Sequence, residues 1–436
     1  MMAYSSILPY TCVYIDCDAK DLTSAVSKCM SFDKDRNGLI RELQNLWTSH
    51  TNPNPVIPCL SVRSGFDLFL TVMNFPPQSE IIMSAINIPS MAYILREHGL
   101  KIVPLDVNIE DVAPKTERMT DLLTDKTVAI LVSHLYGKMF DMEPIIHFAK
   151  KHKLYVVEDC AEAFCGFSHI GHPESDISLF SFGVIKFYTS FGGGIAKVRD
   201  QDVYQKMLDL HNSYPTRTNG EYLKKILKYS LVYIFLNCPS IIKPLVFASR
   251  SLGIDHKKKV IKMLRGFPED MMAKIRHRPS TALLDMMLER QSNFSMAEFC
   301  TRRLKGEYVQ HRLPEDIEIV GAGLEHNNYW LFPILVDNPD NFVEQLNAFG
   351  VDAYRGATQL NIIEPENGNS TMHPAASVNQ RYPHEAKYLI DHVVYLPVNK
   401  TVPFHVLDQL IKVIKMAVML SKTQTDSHQV KLVSKL

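Results

Sequence analysis

Short apolar runs alternate with amphipathic stretches along the first two thirds of the chain, which is the pattern of parallel strands joined by helices. The apolar runs predict strands over residues 80–86, 101–107, 126–133, 154–157, 176–182 and 195–198. Helices are predicted over residues 39–47, 60–73, 90–98 and 272–294. We therefore expect an open α/β sheet, and such sheets keep their ligand sites at the carboxyl ends of the strands.

The last third of the chain has a mixed pattern. Strands are predicted over residues 329–336 and 393–397 and helices over 338–349 and 404–420, which together indicate a small α+β domain. We divide the chain into an N-terminal segment (1–50), a large domain (51–300), a small domain (301–421) and a polar tail (422–436). The tail is expected to fray.

Composition limits the partners and the compartment. The 436 residues include 47 basic and 47 acidic side chains, so the net charge indicates neither a nucleic-acid partner nor an acidic tail. The eight cysteines form no Cys-x-x-Cys pair, and the N-terminus lacks the basic start and apolar run of a signal peptide. Reduced thiols and a cytoplasmic location are the simplest interpretation.

Residues 32–40 resemble the first part of a calcium-binding EF-hand loop, with oxygen ligands at Asp33, Asp35 and Asn37 followed by Gly38. The twelfth position is Gln44, which cannot supply the bidentate carboxylate that completes the calcium shell. A turn leading into the helix over 39–47 is favoured, and no metal site is predicted.

The candidate chemistry lies in residues 154–200. Asp159 follows one predicted strand and Lys186 follows the next, so both belong to the edge of the sheet where ligands bind. Pyridoxal phosphate needs this pair, because it takes an amine for its Schiff base and a carboxylate that keeps its pyridine ring protonated. Taken alone, the pair also fits a solvated lysine and a turn-forming aspartate.

The order and spacing of this stretch resemble those of the DegT/DnrJ/EryC1/StrS family, the sugar aminotransferases. The family has a Glu-Asp-Ala-Ala-Gln-like segment, then Phe-Ser-Phe-x-x-x-Lys, then a threonine and a Gly-Gly pair. Here the matching residues are 158–162, 180–186, Thr189 and 193–194, without a gap, and the resemblance extends over about residues 50–420.

The resemblance implies the fold-type-I architecture, which has a three-layer α/β/α large domain with a mostly parallel sheet and a smaller C-terminal α+β domain. It also implies a homodimer with shared active sites, and transfer of an amino group from an amino acid, usually glutamate, to a nucleotide-linked keto sugar. A related branch that dehydrates sugars has histidine in place of the lysine, and Lys186 argues against it.

The resemblance also assigns residues to the cofactor pyridoxal 5'-phosphate. Lys186 is expected to carry the cofactor and move the proton, and Asp159 to hold the pyridinium. The other cofactor-binding residues that agree with the family pattern, fully or through their backbone amides, are Ser64, Gly65, Phe66, His134, Ser181 and Arg278.

Three cofactor-binding positions depart from the family pattern. Ile88 stands where an aromatic ring usually stacks on the pyridine, and Glu162 replaces a glutamine that donates to the ring oxygen. Arg276 replaces an asparagine that reaches the phosphate in the other subunit, although an arginine can also bind phosphate. These departures are the support for an alternative, a catalytically altered or inactive member with a binding or regulatory role.

Residues 221–265 form an insert that the central motif does not explain. They contain ten basic and two acidic residues around an apolar middle, which Pro239, Lys243 and Pro244 interrupt. The insert therefore cannot span a bilayer comfortably, since a spanning helix needs roughly 20 apolar residues in a row. Two interpretations stay open: a membrane-surface anchor and a buried helical hairpin at a subunit interface, and the second is favoured.

Overall fold

The computed structural model describes residues 10–12, 14–31, 34–238, 244, 248, 251–252, 270–356, 358–365 and 382–433, with side chains as far as residue 420. The strands are β1 (Val56–Cys59), β2 (Glu80–Ser84), β3 (Ile86–Asn87), β4 (Lys101–Leu105), β5 (Thr127–Ser133), β6 (Lys138–Met139), β7 (Tyr155–Asp159), β8 (Ile177–Ser181), β9 (Gly194–Val198), β10 (Glu318–Ile319), β11 (His326–Asn327), β12 (Pro333–Leu335), β13 (Asn361–Ile362) and β14 (Val393–Tyr395).

The helices are α1 (Ala19–Met30), α2 (Arg36–Leu46), α3 (Val62–Met73), α4 (Pro89–Glu97), α5 (Met119–Leu122), α6 (Glu143–His152), α7 (Gln201–Ser213), α8 (Asn219–Asn237), α9 (Met271–Ile275), α10 (Thr281–Ser292), α11 (Met296–Gln310), α12 (Pro339–Ala348), α13 (His384–His392) and α14 (Phe404–Val433). A 3₁₀ turn over Thr116–Arg118 precedes α5.

The large central sheet has the order β1-β9-β8-β7-β5-β2-β4. Its inner pairs β8–β7, β7–β5, β5–β2 and β2–β4 are parallel, whereas β9 runs antiparallel to both of its neighbours. The predicted open and mostly parallel sheet is confirmed. The carboxyl ends of β5, β7 and β8 consequently lie side by side at one edge.

Helices cover both faces of this sheet. One face packs against α3, α4 and α7. The other face packs against α1, α2, α8 and α10 at one end and against α5 and α6 at the other. This confirms the predicted three-layer large domain, and it shows that α1 and α2, from the N-terminal segment, belong to the packing of the sheet.

The C-terminal part forms a separate small sheet of order β10-β12-β14, which is antiparallel and packs against α11, α12 and α14. Two short strand pairs, β6–β11 and β3–β13, join this part to the strand-end edge of the central sheet. The C-terminal residues are therefore placed beside the predicted site.

Two predicted helices differ from the structure, and one strand was missed. The helix predicted over 272–294 is wrong as one element: α9 ends at Ile275 and α10 begins at Thr281, because Pro279 cannot continue a helix and Ser280 caps the next one. The closing helix continues through Val433, beyond its predicted end at residue 420. Strand β1 was not predicted, because Pro58 interrupts its apolar run.

The domain boundaries at 50, 300 and 421 stay predictions. The calcium-like loop falls partly outside the described residues, since 32 and 33 are not described. Within the described part, Asp35 caps α2 by accepting a hydrogen bond from the Asn37 amide, as the turn interpretation expects. Much of the insert 221–265 also lies outside the described residues.

Candidate active site

At the ends of β5 and β7, the polar side chains lie on two different faces of the sheet. Successive residues of a strand point to opposite faces, and Ser133 is paired in register with Asp159. The Ser133 hydroxyl accordingly donates to Asp159 Oδ2 at 3.3 Å. One residue further along, His134 instead contacts Glu158, with 3.2 Å between Nε2 and Oε1. The side chains of Asp159 and His134 therefore lie on different faces, although the His134 amide donates to the Asp159 carbonyl at 3.0 Å.

Asp159 is a buried carboxylate that forms no ion pair with any described residue. It is 6% exposed, and its other described hydrogen bond comes from the Ala161 amide to Oδ1 at 3.0 Å. Burial raises the pKa of Asp159, although the charge of Lys186 and these hydrogen bonds act in the opposite direction. Among the described residues, no basic group lies within 4.0 Å of this carboxylate.

Lys186 lies in the loop that connects β8 to β9. Backbone hydrogen bonds from Ser190 and Gly192 to the Phe182 carbonyl close this loop. Tyr188 and Phe191 adopt positive φ angles of 55° and 60° within it, a conformation that non-glycine residues adopt only when their surroundings enforce it. The loop is thus a folded structure that fixes the direction of the lysine.

The ammonium group of Lys186 pairs with Glu162. Lys186 Nζ donates to Glu162 Oε1 at 2.8 Å, and the Tyr136 amide donates to Oε2 of the same carboxylate at 3.0 Å. Lys186 Nζ also lies 4.7 Å from the centre of the Trp330 ring, a cation–π contact. The lysine side chain is 17% exposed and the glutamate side chain 6%. Glu162, which the sequence predicts to contact the cofactor, is thus the ion-pair partner of Lys186.

The Glu162 segment is held by the C-terminal part of the chain. Asn328 Nδ2 donates to the carbonyls of Glu162 and Phe164, at 2.9 Å and 3.0 Å. The Asn328 amide donates to the Gly137 carbonyl at 2.8 Å, and a side chain at Gly137 would place Cβ 2.0 Å from Asn328 Oδ1. The close contact with Asn328 therefore requires a glycine at position 137, and the φ angle of 87° there also favours glycine. Asn328 and Trp330 were not predicted as site residues.

His134 belongs to a buried polar cluster on the other face. Besides His134, Glu158 accepts hydrogen bonds from the His172 amide and from the hydroxyls of Ser175 and Ser178. The pKa of Glu158 is lowered to about 2, since these donors and His134 outweigh its burial. His134, Glu158 and Cys160 bring ligand atoms within 4.8 Å of one another, but the carboxylate already has hydrogen-bond donors on both oxygens. The cluster therefore explains how His134 is held without a ligand.

The phosphate site predicted at residues 64–66 is shifted in the structure. Helix α3 begins at Val62 with Ser61 as its cap. For the amides of residues 64–66 to be free, the helix would have to begin about one turn later. Ser61 Oγ accepts from the Ser64 amide at 3.2 Å, and the Ser61 carbonyl accepts from the Gly65 amide at 3.2 Å. Phe66 is buried against the sheet. The amides of Ser64 and Gly65 are therefore bonded within the helix start and not free, whereas the amides that a helix leaves unbonded belong to its first turn.

Ser181 lies beside this helix start. It ends β8 opposite Gly194, and a Cβ at Gly194 would lie 2.8 Å from the Val62 amide nitrogen. Ile88 also lies near the site: it is the cap residue of α4, and it follows Asn87, whose side chain donates to Ser133 Oγ at 2.8 Å. The structure thus brings Ser181 to the start of α3 and Ile88 to the neighbourhood of Asp159.

Arg276 is engaged within the chain. Its Nε and Nη2 donate to the two oxygens of Asp67 at 2.9 Å and 3.0 Å, and His98 Nε2 lies 2.9 Å from the same carboxylate. Asp67 is fully buried, and its pKa is lowered because His98 and Arg276 outweigh its burial. Arg276 therefore ties α3 to the segment before α10, a contact that the sequence did not suggest.

Arg278 lies in a cluster of basic groups with Arg36 and His211. Burial, followed by the charges of these two arginines, lowers the pKa of His211 to about 4. Burial and Arg278 lower the pKa of Arg36 to about 10. Arg36 Nη2 and His211 Nε2 are buried and have no hydrogen-bond partner among the described residues. Such a cluster has unused donors of the kind that bind an anion.

Asp16 supports the lysine loop from the N-terminal segment. Asp16 Oδ2 accepts from the Tyr188 amide and Oδ1 from Arg302 Nη2, both at 2.8 Å. Asp16 is 1% exposed, and the charges of Arg302 and Lys400 lower its pKa well below the usual range despite burial. No motif or spacing in the sequence indicated this residue.

Residues 18–231 match the model of the DegT/DnrJ/EryC1/StrS aminotransferase family. The GDP-perosamine synthase of Caulobacter vibrioides is 30% identical over 176 residues, which are 38% of this chain and 46% of that protein. The dTDP-4-amino-4,6-dideoxy-D-glucose transaminase of Shigella dysenteriae is 28% identical over 155 residues, 35% of this chain and 42% of that protein. The chain thus spans about half or less of the length of the curated relatives it matches.

Solved structures are similar over nearly the whole chain. DesI, solved in the presence of its TDP-sugar product, has a TM-score of 0.65 at 16% identity and covers 98% of this chain and 97% of its own. The aminotransferase PseC of Helicobacter pylori has a TM-score of 0.63 at 16% identity, covering 94% and 98%. These neighbours confirm the fold of the sugar aminotransferases. Together with the match over residues 18–231, just under half of the chain, they relate this protein to the DegT/DnrJ/EryC1/StrS aminotransferase family.

Proposed function

We propose that this chain is a pyridoxal-phosphate-dependent aminotransferase, which moves an amino group from an amino acid, by family analogy glutamate, to a nucleotide-linked keto sugar. The proposal rests on one observation: a folded loop places Lys186 in the same region as the buried carboxylate of Asp159. Relatives named for GDP- and dTDP-linked sugars support the substrate class.

The residues at the strand ends fit the cofactor. Asp159 is buried, has no paired cation among the described residues and has a raised pKa, so a protonated ring nitrogen supplies the charge it lacks. The first turn of α3, with Ser64 and Ser181 nearby, offers amides and hydroxyls to a phosphate, which a helix start favours. When bound, pyridoxal phosphate supplies an electron sink for the substrate carbon.

The protein residues then have separate tasks. Lys186 Nζ would hold the cofactor through a covalent link, and the freed amine would move a proton at the substrate carbon. Glu162 Oε1 lies 2.8 Å from Nζ and can hold that proton close by. Trp330 lies over Nζ and keeps water from one side of it. Asp159 keeps the ring nitrogen protonated, and Ile88 offers an apolar contact instead of a stacked ring.

The active enzyme is proposed to be a cytoplasmic homodimer. Arg36 Nη2 and His211 Nε2 are buried without a hydrogen-bond partner within the described chain, and Arg278 lies beside them, so a phosphate from a second copy would find an unused guanidinium donor here. Arg276 is proposed to support this surface through its pair with Asp67. This arrangement keeps Arg278 as a phosphate ligand and gives Arg276 a structural task.

One observation favours the alternative of an altered or inactive member. The pair between Lys186 and Glu162 stabilises the ammonium form, whereas the covalent link requires the neutral amine. A non-catalytic protein could keep this pair permanently. The retention of both Lys186 and Asp159 in one region favours the enzyme.

A half-reaction experiment distinguishes the two. The purified protein is loaded with pyridoxal phosphate, and the visible spectrum is followed as glutamate and other amino acids are added. An aminotransferase converts the bound cofactor to its amine form, and a nucleotide-linked keto sugar then restores the first spectrum. Bound cofactor that no amino acid converts would support the non-catalytic alternative.

A further inference from the structure

Helix α8 has an apolar stripe that the fold leaves uncovered in the described part of the chain. Leu227, Leu231, Ile234 and Phe235 are 52%, 67%, 53% and 42% exposed. Their spacing of four, seven and eight residues puts them on one side of the helix. Contiguous exposed apolar residues usually mark a surface that binds something.

The opposite side of α8 is accounted for. Tyr222, Ile226 and Val232 are buried in the core cluster that also contains residues of α1 and α10. The Tyr222 hydroxyl donates to the Ser190 carbonyl at 2.7 Å, in the loop that carries Lys186. The helix is therefore fixed to the protein by one side, and its apolar stripe faces outward.

Basic residues continue the same outward side. Lys224 and Lys228 are exposed and lie one turn before Leu227 and Leu231, so they belong to the same stripe. In sequence, residues 221–265 carry ten basic and two acidic side chains, although the whole chain has equal numbers of both. The positive charge is thus concentrated in this insert and balanced elsewhere.

We propose that the outer side of α8 docks on an anionic phospholipid surface. Leu231, Ile234 and Phe235 enter the boundary between headgroups and acyl chains, and the two lysines meet the lipid phosphates. No helix of the described chain is long and apolar enough to cross a bilayer, so the contact is peripheral. The proposal is independent of the aminotransferase activity.

Charge favours a lipid surface over two other occupants. In a symmetric contact between two copies, the same patch meets itself, so the lysines of each copy would face those of the other. The remainder of the insert, residues 239–265, carries seven basic residues and one acidic residue and would likewise repel Lys224 and Lys228. An anionic surface attracts all of these side chains.

Co-sedimentation of the full-length protein with vesicles tests the proposal. Vesicles of phosphatidylcholine with phosphatidylserine are compared with phosphatidylcholine alone, at about 50 mM and about 500 mM salt. We expect binding to the anionic vesicles at low salt and a loss of at least about fivefold at high salt.

Two variants and matched controls locate the contact. Leu231→Ser/Ile234→Ser and Lys224→Gln/Lys228→Gln should each reduce sedimentation about tenfold or more. Leu304→Ser/Met416→Ser and Lys126→Gln/Lys151→Gln change equally exposed residues elsewhere and should have no effect. Light scattering without vesicles reports the oligomeric state, which should stay unchanged.

Three results would overturn the proposal. The first is no binding to anionic vesicles at low salt by protein with a native thermal transition. The second is binding that both control variants weaken as much as the α8 variants. A change of oligomeric state on Leu231→Ser/Ile234→Ser without vesicles would assign the stripe to a contact between copies and also overturn it.

Discussion

Replacing Glu162 by glutamine should make Lys186 more reactive. The pair joins Nζ and Oε1 at 2.8 Å, with 17% and 6% of the two side chains exposed. Glutamine has one acceptor oxygen, so it cannot serve both Lys186 and the Tyr136 amide as the carboxylate does. The ammonium form of Lys186 therefore loses its stabilising partner, and the neutral amine that attacks aldehydes becomes more populated.

The magnitude follows from the geometry. Two unit charges 2.8 Å apart attract by about 6 kcal/mol at an effective dielectric constant of about 20, before the cost of desolvation is subtracted. The net value of a hydrogen bond between charged groups is about 1.5–3 kcal/mol. Because 1.4 kcal/mol corresponds to a factor of ten, Glu162→Gln should capture pyridoxal phosphate about 10- to 100-fold faster at neutral pH.

The assay measures the rate at which Lys186 forms a borohydride-reducible link. A small acetylating reagent without a ring is tested in parallel, because glutamine could also improve binding of the cofactor itself. Glu162→Asp keeps the charge, and Glu174→Gln removes a carboxylate that pairs with Lys150 at the surface, so both serve as controls. Unchanged or slower labelling of Lys186 by both reagents in folded Glu162→Gln would refute the reasoning.

Three further predictions concern single residues. Lys186→Ala should abolish the borohydride-reducible link and turnover in a protein that still folds, with a lower melting temperature because Glu162 loses its ion-pair partner; undiminished turnover would contradict the assignment. Asp159→Asn should slow transamination by orders of magnitude yet raise the melting temperature of the cofactor-free protein at pH 7. The pKa of Asp159 is raised in the folded state, so its buried charge destabilises the protein above the folded pKa and not below the unfolded value of about 3.9. The increase in melting temperature should therefore vanish in acid. An increase that persists in acid would contradict the buried charge as its cause. Asp16→Asn should cost about 3–5 kcal/mol of stability, because it leaves Arg302 buried and unpaired, whereas the exposed Asp121→Asn should cost little. Because the pKa of Asp16 is lowered in the folded state, its carboxylate stabilises the protein fully above about pH 4 and less as the pH falls below it. The free energies of unfolding of the native protein and Asp16→Asn should therefore approach each other in acid.

The strands at the centre of the fold could be predicted because they are buried on both faces. A strand such as β7 is a continuous apolar run that ends in acidic residues, and this pattern does not depend on distant contacts. The antiparallel pair β1–β9 could not be found in the same way, since β1 contains Pro58 at its edge position and is recognised only by its partner.

The positions of Asp159 and Lys186 could be predicted from local sequence, but their environment could not. Asp16 reaches the Tyr188 amide across 172 residues, and Asn328 reaches Glu162 across 166. No periodicity reports contacts at such separations. The orientation of His134, by contrast, could be predicted. Side chains alternate between the two faces along β5, so the residue after Ser133 points to the face away from the Asp159 side chain.

The first residue of α3 could not be predicted from the sequence, although it determines which amides are available to bind a ligand. Ser61 and Ser64 are both good cap residues, and the sequence does not choose between them. The structure selects Ser61, which bonds the amides of Ser64 and Gly65, so the amides without a hydrogen-bond partner in the described part of the chain are those of Val62 and Arg63.

The central claim is that Lys186 carries the cofactor. It is tested most directly by incubating the protein with pyridoxal phosphate, reducing with borohydride and mapping the modified peptide by mass spectrometry. We expect one phosphopyridoxyl group per chain, on Lys186, and its loss when glutamate is added before the reduction. A group on another lysine, or none on Lys186 in folded protein, would contradict it.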